Sequence, residues 1–214
     1  MNEIGVGSIT VVVLVGFFSG AVFGLQSYEA FKIFQAQAFT GTAVSLTLTR
    51  EIAPVLTTLM MIARAGSAMA TEIASMKISE QVDALKTIAV SPVQYLVVPR
   101  VVASFFMVPA LTVVFLACGM LGAYLFVCTL KGVDPGVFIY NIEWYTDPKD
   151  MLMGIVKSFV FAIIFTMICC YYGLNASGGA KGVGRATTRA VVVSSVAILW
   201  ADYILTDILI RFHI

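Results

Sequence analysis

Charge is what this 214-residue sequence lacks most. Asp, Glu, Lys and Arg make up only 12% of it, against about 25% in ordinary globular proteins. So few charges could not clothe the surface of a soluble domain of this size. Thirteen basic and twelve acidic residues nearly cancel, at a net +1, which leaves no basic face for nucleic acid. Histidine is almost missing, since His213 is the only one and stands beside the end of the chain. The four cysteines, Cys118, Cys128, Cys169 and Cys170, follow no zinc-ligand spacing. A metal centre is therefore not expected, and small buried thiols are the plain reading. No nucleophilic triad is present. The glycine-rich stretch 173–184 lacks the Gly-Lys-Ser/Thr ending of a phosphate-binding loop. It reads instead as a tight turn anchored by Lys181 and Arg185. Catalysis on this chain, ATP hydrolysis included, has little to rest on.

What the sequence has in excess is apolar length. Hydrophobic residues make up 60% of it, and the mean hydropathy is +0.97. Three stretches, 4–28, 101–130 and 158–180, carry no charge at all. Each exceeds the ~20 helical residues that cross a ~30 Å hydrocarbon layer. Two further spans carry charge: 44–70 holds Arg50, Glu51 and Arg64, and 189–211 holds Asp202 and Asp207. Lipid leaves open backbone groups unsatisfied and no barrel-type alternation is present, so the fold class is all-α, polytopic, with five transmembrane helices. The expected spans are about 4–28, 44–70, 101–130, 150–174 and 189–211, forming one domain over 1–214. Lys77, Lys86, Arg100, Lys181, Arg185 and Arg189 fall on one side, against Lys32, Lys131, Lys149 and Arg211 on the other. Basic excess places the first set in the cytosol, with the N-terminus cytosolic and the C-terminus periplasmic. Phe138, Tyr140, Trp144 and Tyr145 then form an outer aromatic belt or a segment lying on the membrane.

Small residues recur at helical spacing: Gly16, Gly20 and Gly24, then Gly66, Ala70 and Ala74, then Gly119 and Ala123. Such faces admit a neighbouring backbone, so they indicate close packing within one bundle or between two copies. Between the second and third spans, segment 72–92 reads as a short amphipathic helix. Ser79 would cap it at Glu80, Val82, Leu85 and Ile88 would share one face, and Pro92 would end it. Its polar face is mixed and acidic, which suits a cytosolic protein partner better than an anionic lipid surface.

Arg50, Glu51 and Lys157 fall at a common depth, about 10 Å below the outer surface at ~1.5 Å per residue. Charges in lipid pair or face a cavity. Two readings stay open. In one, Arg50 and Lys157 pin Glu51 and so join two helices. In the other the three line an outward cavity and meet a phosphate headgroup, with Phe31, Phe34 and Ile52 flanking acyl chains. Arg64 snorkels toward the interface, Asp207 reads as interfacial, and Asp202 has no evident role unless as a proton relay.

Several of these segments resemble the MlaE-type permeases, the membrane subunits of ABC lipid transporters that work with MCE-domain proteins. They are Arg50-Glu51-Ile52-Ala53-Pro54, Ala63 to Ala68, Glu72 to Met76, Glu80 to Leu85 and Arg185 to Arg189. The resemblance implies a homodimer in a bacterial inner membrane that moves phospholipid between the inner and outer membranes. The lipid would sit in an outward-open cavity lined by Arg50, Glu51 and Lys157, which fall in the matching motifs, while Phe31, Phe34 and Ile52 join them on depth alone. A cytosolic ATPase, carrying ATP and Mg on its own chain, would grip the coupling segment through Glu72, Met76, Glu80, Gln81, Asp83 and Leu85. An MCE-domain protein on the periplasmic side and a STAS-domain protein would complete the assembly, with no cofactor on this chain. Members of that family carry an amphipathic interfacial helix ahead of the first span, where only Met1, Asn2 and Glu3 precede Ile4 here. Two other classes compete: a secondary transporter with Asp202 or Glu51 as proton site, and a membrane scaffold without substrate.

Overall fold

An apolar chain in lipid satisfies its backbone by coiling, and the computed structural model, which describes residues 7–211, is built from helices. In chain order they are α1 (Gly7–Lys32), α2 (Gln37–Ile78), α3 (Gln81–Thr87), α4 (Val93–Lys131), α5 (Pro135–Tyr145), α6 (Pro148–Leu174) and α7 (Gly179–Arg211). Five of them, α1, α2, α4, α6 and α7, are long and apolar enough to cross a membrane. They alternate in direction. One end of the bundle carries α3 and the turn at 175–178, and the other carries α5 and the turn at 33–36. Residues 4–6 of the first expected span, the tripeptide ahead of it and His213 lie outside the described residues.

Local sequence explains the boundaries. Both α5 and α6 start at Asp-Pro: Asp134 accepts from the backbone N–H groups of Gly136 and Val137, and Asp147 with Asp150 forms a capping box. Proline at the first position loses a donor that would be orphaned anyway. Gly132, at φ 69°, ends α4 in the left-handed conformation that glycine adopts without cost.

Three helices outrun their expected spans by seven residues or more. The second runs 37–78 rather than 44–70, and the third begins at Val93 rather than 101. The fifth begins at Gly179 rather than 189. In that last case the glycine-rich stretch is not one long turn. The reversal is confined to 175–178, Gly178 and Gly179 take the positive φ values, and Lys181 and Arg185 already stand on the helix. The aromatic segment after Asp134 is the helix α5, with Phe138 buried and Trp144 and Tyr140 exposed.

The glycine stripe of α1 lies against α4. A Cβ on Gly20 would fall 1.9 Å from the Gly119 carbonyl oxygen, and one on Gly122 would fall 2.1 Å from that of Phe17. Backbone therefore touches backbone, which is how helices associate where lipid supplies no hydrophobic drive. The remaining core is aromatic and aliphatic, with Phe115, Phe161, Phe165, Met61 and Ile62 fully buried.

Candidate functional site

The site begins with a proline. Pro54 lies inside α2, where it lacks an N–H and its ring crowds the carbonyl four residues back, that of Arg50. The helix answers with a wide π turn over Leu48–Ile52, in which the Ala53 N–H reaches back to the Leu48 carbonyl. The extra residue in that turn carries Arg50 and Glu51 toward different neighbours. Arg50 bonds Asp150 at the start of α6, with Nε at 2.7 Å and a second guanidinium nitrogen at 2.5 Å. Asp150 is itself buried, and its other oxygen accepts the Asp147 N–H.

Glu51 faces Lys157 of α6 instead. The Lys157 side chain is 0% exposed and its ammonium donates three bonds: to Glu51 Oε2 (2.7 Å), Asp202 Oδ1 (2.9 Å) and Thr206 Oγ1 (2.7 Å). An ammonium has three donors, so all are used. Lys157 thus ties α2, α6 and α7 together. Arg50 does not join this cluster, and the acid that does is Asp202, for which the sequence suggested no partner. Two carboxylates around one ammonium leave a formal charge of −1. Burying such ions costs several kcal/mol each, which only close pairing offsets.

The two carboxylates are not sealed in. Glu51 and Asp202 keep 36% and 20% of their side chains exposed. They form the polar floor of a groove of about 470 Å³ between α1, α2 and α7. Val22, Phe23, Ile52, Val55 and Leu56 line the rest of it, together with Ser19 and Gln26. Of the six cavity residues named from sequence, Glu51 and Ile52 line this groove. Lys157 lies behind it, Arg50 is held to Asp150, Phe31 is half-buried, and Phe34 stands exposed in the turn after α1. Asp202, Thr206 and the α1 wall were not named. An acid alone in an apolar span was the available signal for Asp202, since such a group needs a partner.

At the opposite end α3 departs from its expected cap. Ser79 turns back to the Ser75 and Met76 carbonyls, Glu80 takes φ 59°, and the helix starts one residue later, at Gln81. It also ends at Thr87, ahead of Pro92. Asp83 is clamped by Lys77 of α2 (2.8 Å) and by Lys86 (2.8 Å). These bonds, that of Lys77 foremost, hold its carboxyl down to about 2. Val82 is buried, and beside it a hollow of about 170 Å³ is lined by Met76, Gln81, Leu85, Tyr95 and Leu96. Ile88 and Tyr95 stand 67% and 65% exposed at this end. Glu72 pairs with Arg100 at 2.8 Å, joining α2 to α4.

Comparison with known proteins accords with this architecture. The family model for the permease MlaE matches residues 1–208. A probable ABC transporter permease protein of Rickettsia felis is 43% identical over 208 residues, 97% of this chain and 80% of that protein. The intermembrane phospholipid transport system permease protein MlaE of Haemophilus influenzae is 38% identical over 213 residues, 98% of this chain and 80% of its own length. The chloroplast protein trigalactosyldiacylglycerol 1 of Arabidopsis thaliana is 34% identical over 207 residues, 97% of this chain and 59% of the plant protein. A multi-pass bundle of this kind, matched along nearly its whole length, belongs to the MlaE permease family of ABC transporters.

Proposed function

We propose that the chain is the phospholipid-translocating half of a homodimeric transporter in a bacterial inner membrane, and that the groove above Glu51 and Asp202 holds the lipid. The observation that carries this reading is the groove's make-up: apolar walls from α1 and α2, open on one side, beside the Glu51 and Asp202 carboxylates. Acyl chains fit Val22, Phe23, Val55 and Leu56, while the acidic floor receives the cationic end of a zwitterionic headgroup. A second copy closes the open side and completes an outward-facing cavity. Lys157 spends its donors on the floor itself, so it sets the positions of Glu51 and Asp202 rather than gripping phosphate directly. Arg50, still 43% exposed after pairing with Asp150, is the group left to meet a phosphate at the rim.

A cytosolic ATPase drives the cycle, with ATP and Mg on its own chain. It docks at α3, where Gln81, Leu85 and Met76 line the hollow, Glu80 stands exposed, and Ile88 and Tyr95 offer apolar contact. The Asp83 clamp makes α3 a rigid extension of α2, so displacement of α3 moves the helix that carries Glu51. An MCE-domain protein meets the α5 end, and a STAS-domain protein sits beside the ATPase.

Filling the groove tests this directly. Val55→Trp, reconstituted with the ATPase, is expected to assemble normally yet lose phospholipid transfer by about tenfold or more, a barrier change of ~1.4 kcal/mol. Unimpaired transfer with the groove filled would refute it. Transfer that followed a proton gradient and needed no ATPase would favour Glu51 or Asp202 as a proton site instead.

A further inference from the structure

The start of α7 carries Lys181, Arg185 and Arg189, all exposed and spaced to share one helical face. With Gly184 and Thr188 they line a shallow groove of about 520 Å³. No side chain of the three makes an ion pair or hydrogen bond to another described residue. The acids at this end are largely engaged, Glu72 by Arg100 and Asp83 by Lys77 and Lys86. The same face of α7 continues into exposed Val192, Val196 and Leu199.

Depth identifies the occupant. From Ala190 to Ile210 the helix rises about 30 Å at ~1.5 Å per residue, matching the ~30 Å hydrocarbon thickness. Arg189 therefore stands at the hydrocarbon boundary, with Arg185 and Lys181 about 6 and 12 Å beyond it, across the headgroup layer. Packing agrees: Cys169 meets Ser194 at 3.5 Å and Thr71 meets Thr187 at 2.8 Å. These contacts set the basic residues level with the last turn of α6 and beyond.

We propose that this stripe binds an anionic phospholipid that resides in the leaflet on the α3 side. Its phosphodiester lies between Arg189 and Arg185, and one acyl chain runs along Val192, Val196 and Leu199. Guanidinium forks suit phosphate, and each cation near a membrane surface adds to the attraction for anionic lipid. The site is separate from the proposed transport groove and depends only on the chain crossing the membrane. A second copy docked here by a two-fold axis would oppose like charges, which disfavours that occupant.

The test places the full chain in nanodiscs of phosphatidylcholine with a minority of phosphatidylglycerol and counts retained lipids by native mass spectrometry. Wild type should enrich phosphatidylglycerol. Enrichment should fall roughly fivefold for each of Lys181→Gln, Arg185→Gln and Arg189→Gln, and should weaken as salt is raised. Lys32→Gln, at the other end, should leave it unchanged. Should one of the three variants fold poorly, the other two and the salt series decide. No enrichment in wild type would overturn the proposal. So would enrichment indifferent to the three substitutions, or, in a parallel co-purification with the ATPase, variants that keep the lipid but lose the ATPase, which would make the stripe a protein contact.

Discussion

Lys157 has no exposed surface and no spare donor, yet it lies in a span that would insert more easily without it. Its cost is met by three acceptors from two other helices. Lys157→Met should therefore destabilise the bundle by about 3–5 kcal/mol, because two carboxylates are left facing each other without their cation. Adding Glu51→Gln and Asp202→Asn should recover most of that loss, and chemical denaturation in detergent measures both. A triple variant no more stable than the single one would separate these residues energetically. Part of this cluster is legible in the sequence, since depth alone brings Glu51 and Lys157 together. Arg50 was not separable from them, because a π turn changes the direction of a side chain without changing its depth. Asp150 was hidden too: an acid after Asp-Pro reads as a capping residue, and here it caps α6 while also binding Arg50.

Among the helices, those built on short-range signals were the most readable. The long apolar runs are such features; the Asp-Pro starts and the Gly132 stop are local too, but were not read from the sequence. The true lengths of α2, α4 and α7 were not, since their extra turns lie beyond the apolar stretch and are held by neighbours such as Thr71 with Thr187. The glycine stripe was legible as close packing, and the structure directs it to α4 within one chain. Gly20→Val should cost about 3 kcal/mol or more, because the Gly119 backbone cannot recede, and a thermal melt of the purified permease reads it. Pro54→Ala should let α2 relax toward regular winding and turn Glu51 away from Lys157. A cysteine cross-link between positions 51 and 202 should then form less readily than in the parent with Pro54.

The α3 clamp has a pH signature of its own. An unfolded aspartate titrates near ~3.9, and Asp83 in the folded chain near 2. Its pairing is thus complete above ~4 and is lost only as pH falls through the folded value. Retention of the ATPase should show no dependence on this group between about pH 5 and 8. Charge reversal of Glu80 and Asp83 together should release the ATPase at any pH in that range, which co-purification measures. Assembly that survived both reversals would remove α3 from the interface.

Across the molecule, the proposed division of work gives lipid the groove between α1, α2 and α7 and gives the ATPase the projecting helix α3. Composition and charge-free length were enough to read the spans. The groove was not readable, because its walls come from α1 and α2 and its floor from α2 and α7, which only the folded bundle brings together. The most direct measurement places a photoreactive residue at Leu56, in the groove wall, and a control at Leu121, on the exposed face of α4. Both are reconstituted with the ATPase in phospholipid vesicles. Phospholipid adducts at position 56 should exceed those at 121 and should fall when ATP is added and the cavity empties. Equal adducts at the two positions, or a signal at 56 indifferent to ATP, would contradict the groove as the place where lipid is held and moved.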